Sequence, residues 1–263
     1  MTIPDGNGDP ANGIMNLPSN STCRKWRMSQ FLPASQRRLA PGILIEHPGS
    51  QGQPVEDASM GFYSQVIVPL LCDLGLDRRF VAKYRRELLV HARGNILELG
   101  FGTGLNLPFY PPHVRKITTV DPNMGMYRRA QRRIKRTGIE VDRRVLGGER
   151  LPFEDSTFDN LVSTFTLCSI EKVAQALREV YRVLKPGGRF LFLEHGISPH
   201  RNVQKWQLRL NWLQMRLAGG CHLDRDIRAL VRAEPFASLQ MDEFYIEKIP
   251  RTHGYMYRGV ATK

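Results

Sequence analysis

The chain has 263 residues, 41% of them hydrophobic, and a formal charge of +13, material for one generous domain or two small ones. Four cysteines (Cys23, Cys72, Cys168, Cys221) lie far apart with no Cys-x-x-Cys pair, which excludes a zinc knuckle of ordinary spacing and argues against a secreted disulfide scaffold. The opening Met-Thr-Ile-Pro-Asp-Gly-Asn lacks a signal peptide and no segment approaches ~20 apolar residues, so a cytoplasmic, reduced protein is expected.

Residues 1–56 are rich in Pro, Gly, Ser, Asn and Gln without sustained periodicity, and read as a disordered polar extension in which Ile43, Leu44 and Ile45 can form one docked strand. Residues 57–263 have the size of a single α/β domain. Within it, 57–92 show helical spacing (Phe62, Val66, Leu70, then Phe80, Tyr84, Leu88), which predicts a two-helix lid broken near Gly75-Leu76-Asp77. A strand is predicted at Asn95–Leu99, then a glycine loop and a helix shortened by Pro108, Pro111 and Pro112. Lys116–Val120 reads as a strand closing on Asp121-Pro122. A basic helix follows to Thr137, stopped by Gly138. Strands are expected at 139–146 and 157–164, a helix at 173–184, a turn at Lys185-Pro186-Gly187-Gly188 and a strand at 189–193. Helices at 206–217 and 224–232 form a substrate-side insertion over 203–232, and strands near 239–247 and 255–262 finish the pattern. Strands alternating with helices predict a mostly parallel sheet covered on both faces, with an antiparallel hairpin at one edge.

The most informative run is Asn95–Asn106. A buried strand (Ile96, Leu97, Leu99) ends in Gly100, Gly102 and Gly104, which permit a tight turn and close approach of backbone to a ligand, with the following helix aiming its free N–H groups at that ligand. The dinucleotide pattern G-x-G-x-x-G fails, because the sixth position is Leu105, and no Gly-Lys-Ser/Thr follows for a P-loop. Asp121, seventeen residues past Gly104 at the end of an apolar strand, can accept both hydroxyls of a ribose or cap the next helix. No cluster of phosphate-holding cations accompanies the loop, which suits an adenosine-like ligand carrying an amino acid.

Four blocks carry a resemblance: Leu97-Glu98-Leu99-Gly100-Phe101-Gly102-Thr103-Gly104, Val120-Asp121-Pro122-Asn123, Leu151-Pro152-Phe153 with Phe158-Asp159, and Arg178-Glu179-Val180 through Leu184-Lys185-Pro186-Gly187-Gly188. In this order and spacing the chain resembles the class I S-adenosylmethionine-dependent methyltransferases over about 200 residues, from roughly Met60 onward. The resemblance implies a Rossmann-like, seven-stranded sheet with a reversed last strand and S-adenosylmethionine as cofactor. It implies that Glu98 orients the loop and the methionine ammonium, that Gly100, Gly102 and Gly104 line the methionine and ribose, and that Asp121 holds the ribose. Asn123 or Met124 would pack on the adenine. Gly147 stands where that family often has an acid, so adenine contacts fall to the backbone around Gly148 and Glu149. Thr164 and Phe165 would face the methyl-transfer zone.

A narrower resemblance, on Leu167-Cys168-Ser169, Glu194-His195, Gly220-Cys221-His222-Leu223 and His253-Gly254-Tyr255, is to the methyltransferase-like 7 group of lipid-associated small-thiol methyltransferases. That group has a membrane-inserting N-terminal segment where this chain has a polar extension. The resemblance favours a small apolar acceptor, a thiol by preference. Phospholipid N-methylation and quinone or small-molecule C- or O-methylation are the alternatives. His195, oriented by Glu194, is a candidate base, or else a structural histidine. Tyr63, Cys168 and Trp206 are candidate pocket residues, with a core aromatic at Tyr63, a buried core thiol at Cys168 and a core Trp206 as the competing readings. Cys221 and His222 are not expected to bind metal, since no third ligand is near in sequence. The basic helix (Arg128, Arg129, Arg132, Arg133, Lys135, Arg136) offers peripheral contact with anionic membrane, or is a solvated face. The charge alone also admits a cofactor-binding protein that associates with nucleic acid. Yet no Asn/Asp-Pro-Pro-Tyr block for a flipped base is present, and no specific nucleic-acid partner is expected.

Overall fold

The computed structural model describes residues 79–263. The extension 1–56, the Ile43–Ile45 strand, the first lid helix and Tyr63 lie outside the described residues.

In chain order the elements are α1 (Arg79–Leu89), β1 (Ile96–Leu99), a single 3-10 turn (Leu107–Phe109), β2 (Lys116–Val120), α2 (Met124–Thr137), β3 (Glu140–Arg144), β4 (Phe158–Thr164), α3 (Val173–Val183), β5 (Leu184–His195), α4 (Arg201–Leu217), α5 (Ile227–Arg232), β6 (Ser238–Tyr245) and β7 (Tyr255–Thr262). The seven strands form one sheet in the order β3-β2-β1-β4-β5-β7-β6. β1 pairs in parallel with β2 and β4, as does β5 with β4, whereas β7 runs against both of its neighbours. This is the sheet the sequence predicts.

Period-two alternation splits the core across the two faces. Phe190 and Phe192 of β5 pack with Leu97, Leu161, Leu177 and Val180 on one side, while Leu191 and Leu193 pack with Val81, Leu89, Ile96, Val162 and Met256 on the other. α3 turns Ala176, Leu177, Val180 and Val183 inward, one stripe at helical spacing. α2 begins at Asn123, whose side chain accepts from the backbone N–H groups of Gly125 and Met126. It ends at Gly138 (φ +69°), whose N–H reaches the Ile134 carbonyl.

Two expectations need correction. The helix foreseen after the glycine loop is only one 3-10 turn, because Pro108 sits inside it and Pro111 and Pro112 bar its extension. The loop is therefore not followed by an α-helix N-terminus aimed at its ligand. The Lys185–Gly188 turn lies inside β5: Phe158 pairs with Leu184 and Asn160 with Arg189, so the segment bulges out between two stretches of the same strand. Gly187 supplies the left-handed residue of that bulge (φ +74°).

From β1 the sheet is built outward in both directions, through β2 and β3 on one side and β4 onward on the other. The crevice at this reversal, outside the C-terminal ends of β1 and β4, is where open α/β sheets bind ligands.

Candidate active site

The three glycines all adopt left-handed backbone (φ +73°, +56° and +75°). They serve different ends. A Cβ on Gly100 would fall into the Thr166 side chain, 2.6 Å from its Cβ and closer still to Oγ1 and Cγ2. Among the described residues a Cβ on Gly102 would meet nothing within 4 Å, because that residue faces the cleft. Gly100 is thus required by the protein's own packing, and Gly102 by whatever occupies the cleft. Asp121 ties the loop down: Oδ2 accepts from the Gly102 N–H at 2.7 Å, and Oδ1 from the Asn123 N–H at 2.8 Å. Burial raises its carboxyl above the ordinary value, partly offset by these two N–H donors. Each oxygen keeps a further lone pair for a ligand hydroxyl. The helix cap is Asn123, so Asp121 is left for the loop.

Glu98 is buried beneath the loop. Its Oε1 accepts from Asn106 Nδ2 at 2.9 Å and its Oε2 from the Tyr110 hydroxyl at 2.7 Å. Burial lifts its carboxyl to about 7, against the pull of Tyr110, Asn106 and Arg85. Arg85, from α1, donates through NH1 to Asn106 Oδ1 and to Thr164 Oγ1 (2.8 Å), and its guanidinium lies 5.3 Å from the Phe165 ring centre. Sequence reasoning missed Arg85. The only signal was a cation on the inward stripe of a lid helix, and it looks like any solvated arginine until the fold brings β4 beside it.

The cleft, of about 500 Å³, is walled among the described residues by Glu98 to Thr103, Leu105, Asn106, Val120 to Asn123, Leu146 to Glu149 and Thr164 to Thr166, with Arg85, Met126, Ile170 and Gly219; Gly104 is not among its walls and packs toward Leu107, Ala130 and Phe101 instead. Most expected cofactor residues therefore stand together. Asn123 spends its side-chain oxygen on the helix cap. Met124 corrects the expectation more sharply: it is 49% exposed, its sulfur faces Arg143, and Met126 lines the cleft in its place. Gly148 packs so closely that a Cβ would lie 2.6 Å from Leu99 Cδ1, which explains a glycine beside Glu149.

Thr164 and Phe165 reach the cleft as expected, Phe165 in left-handed backbone (φ +53°). Glu194 holds that conformation from behind. Its carboxylate accepts from Ser163 Oγ at 2.8 Å and from the Thr166 N–H, and burial raises it to about 7. It braces the loop after β4 and makes no hydrogen bond to His195. His195 is itself 7% exposed, outside the cleft walls, with Nε2 2.9 Å from the Cys221 sulfur. Cys221 lies 3.6 Å from the Cys168 sulfur, so Cys168 belongs to this buried cluster and not to the cleft. The Cys221 thiol is pulled down, first by its hydrogen bond with Cys168 and then, against burial, by His195. Burial pushes the His195 imidazole down, but Cys221 outweighs it and the net shift is upward. The base role foreseen for His195 fails on this geometry, because its ring is engaged away from the cleft. Trp206 does not roof the cleft either: it is 55% exposed on α4, beside Arg209.

These residues fit an adenosyl group joined to an amino acid. Gly102 is open where backbone must approach a ligand, Asp121 has capacity for two hydroxyls, and Leu146, Met126 and Ile170 supply apolar wall. Residues 97–192 match the family described as a methyltransferase domain. The human thiol S-methyltransferase TMT1A is 35% identical over 171 residues, covering 62% of this chain and 69% of its own length. Rat TMT1B is 35% identical over 151 residues, covering 56% and 62%. The phosphatidylethanolamine N-methyltransferase of Cereibacter sphaeroides is 34% identical over 116 residues, 42% of this chain and 57% of its own. The matched segments thus span about three fifths to two thirds of these relatives. Among solved structures, a possible histamine N-methyltransferase from Thermotoga maritima aligns with TM-score 0.52 at 19% identity, over 73% of this chain and 93% of its own. A Haloferax volcanii protein solved in complex with the Trm112 methyltransferase activator aligns with TM-score 0.58 at 16% identity, over 76% and 95%. Those two likenesses are of fold. With the glycine loop and Asp121 where such a sheet needs them, the chain belongs to the S-adenosylmethionine-dependent methyltransferase family that includes TMT1A.

Proposed function

We infer that this chain methylates a small apolar acceptor, a thiol by preference, using S-adenosylmethionine held in the cleft at the ends of β1 and β4. The observation that carries the reading is the pairing of this cleft with relatives that are themselves thiol S-methyltransferases. Asp121 would take the ribose hydroxyls, Gly102 would admit the backbone to the ligand, and Glu98 would hold the loop and attract the ammonium group. Met126, Leu146 and Ile170 would cover the adenine. When bound, S-adenosylmethionine supplies an electrophilic methyl group on a sulfonium.

The chain's own task is then positioning and exclusion of water. Arg85 ties α1 to Thr164, and Glu194 fixes the Thr166 backbone, so the Thr164–Phe165 wall is held on both sides. No histidine or lysine lines the cleft among the described residues. That suits a thiol, whose ordinary pKa of about 8.5 leaves a reactive fraction ionised near neutrality without a strong base. Incubation with methyl-labelled S-adenosylmethionine and a panel of alkyl thiols should yield labelled thioethers. Absence of product from every thiol would overturn the acceptor assignment.

A second reading, lipid N-methylation, draws on the Cereibacter relative and on α4, where Trp206, Leu208, Trp212 and Leu217 are exposed between arginines. Label transferred to phosphatidylethanolamine vesicles but to no thiol would favour it.

A further inference from the structure

Behind the cleft, three soft donors converge from three separate segments. Cys168 comes from the loop after β4, His195 ends β5, and Cys221 lies in the loop between α4 and α5. All are buried, and their ligand atoms lie within 4.8 Å of one another. We propose that Cys168, His195 and Cys221 form a zinc site.

The protein leaves this cluster incompletely satisfied. Among the described residues the His195 ring makes one hydrogen-bond contact, to the Cys221 sulfur, and its buried Nδ1 has no partner. Buried ring nitrogens are normally paired, and sulfur is a weak partner for one that is. Bonds of about 2.0–2.1 Å to nitrogen and about 2.3 Å to sulfur put tetrahedral donors roughly 3.5–3.8 Å apart; the two sulfurs stand at 3.6 Å, and the His195 ring at 2.9 Å from Cys221 needs only a small outward shift to admit the ion. The ion also balances charge, since two thiolates neutralise a divalent cation, and the Arg225 guanidinium donates to the carbonyl of Leu167, the residue before Cys168. Three protein donors leave the fourth tetrahedral position to water or another exogenous donor.

The neighbourhood is arranged as the surround of a metal would be. The His222 N–H binds the Cys168 carbonyl at 2.9 Å, joining the two ligand loops through backbone. His222 is not itself a member, since its Nδ1 turns to Asp224. The sequence reading rejected metal at Cys221 for want of a third ligand. The fold supplies two, Cys168 and His195, from 53 and 26 residues away. Both ligand loops continue into the cleft, through Ser169 and Ile170 on one side and Ala218 and Gly219 on the other. Zinc would clasp these walls together.

The test uses the full chain under reducing conditions. Elemental analysis should find one zinc per chain, and cobalt(II) added after chelation should give thiolate-to-metal charge-transfer absorption at one equivalent. Cys221→Ser and His195→Gln should lose the stoichiometric metal, and His222→Ala should keep it. Chelation should expose two additional reactive thiols and weaken S-adenosylhomocysteine binding several-fold. The wild-type cobalt titration stands even if a variant fails to fold. The site is refuted if cooperatively folding wild-type chain takes up neither metal. It is equally refuted if cobalt binds without thiolate absorption, or if Cys168 and Cys221 are isolated as a disulfide under these conditions.

Discussion

Replacing Gly100 and Gly102 separately by alanine should divide stability from binding. Both positions are left-handed, so either alanine carries about 1–2 kcal/mol of backbone strain. The lost freedom of the unfolded chain returns about 0.4–1 kcal/mol in each case. At Gly102 nothing else is added, because among the described residues its Cβ would meet no atom within 4 Å, and the net cost is about 0–1.6 kcal/mol. At Gly100 the Cβ overlaps Thr166, whose backbone is pinned by Glu194 and cannot retreat. Overpacking of that kind adds about 1–3 kcal/mol, so Gly100→Ala should cost about 1–4.6 kcal/mol. Urea unfolding of the ligand-free proteins would read the difference as a midpoint lower by about 1 M for Gly100→Ala and hardly moved for Gly102→Ala. Calorimetric titration with S-adenosylhomocysteine should give the reverse emphasis, with Gly102→Ala binding at least about tenfold more weakly, or ~1.4 kcal/mol. Equal midpoints for the two variants, or wild-type affinity in Gly102→Ala, would refute this assignment of roles.

Glu98 titrates near 7 in the folded chain against about 4.5 unfolded, so between these values unfolding releases a proton. Its stabilising contribution is complete below about pH 4.5 and is lost as pH rises through 7; Glu98→Gln should therefore gain on wild type across that window in urea unfolding, and a pH-independent gap would contradict the shift. Asn123→Ala removes two cap hydrogen bonds and should cost about 1 kcal/mol, a melting point about 2–4 °C lower by differential scanning calorimetry. Arg85→Met breaks the link from α1 to Asn106 and Thr164, and should weaken S-adenosylhomocysteine binding several-fold, as fluorescence or calorimetric titration would show.

What the sequence made legible was whatever depends on local order. Gly100, Gly102, Gly104 and Asp121 lie within 22 residues, and the alternation of strands with helices implied the parallel sheet that holds them. The contacts it hid were those made by tertiary approach. Arg85 meets Thr164 across 79 residues, and Cys221 meets Cys168 across 53, with no periodicity linking either pair. Met124 and Met126 differ by two positions on a helix, about 200° around its axis, so the methionine named from the motif faces outward while the one two residues on lines the cleft. Glu194 and His195, adjacent on a strand, point to opposite faces, so one braces the cleft loop while the other joins the sulfur cluster.

The reversed strand β7 sets an order of events during synthesis. It is made after the other six strands, yet it lies between β5 and β6 and hydrogen-bonds both. Until it inserts, β5 presents an open edge carrying Phe190, Leu191, Phe192 and Leu193, the kind of apolar template that recruits foreign strands. Once it has inserted, the open edges among the described residues are β3, with Glu140, Asp142, Arg143 and Arg144, and β6, with Asp242 and Glu243, both guarded by charge. The half of the sheet that carries the cleft, β1 to β4, can pair before this happens. The window of aggregation risk for this protein is therefore the interval between completion of β5 and arrival of β7, and a chaperone that shields one strand edge for that interval would suffice.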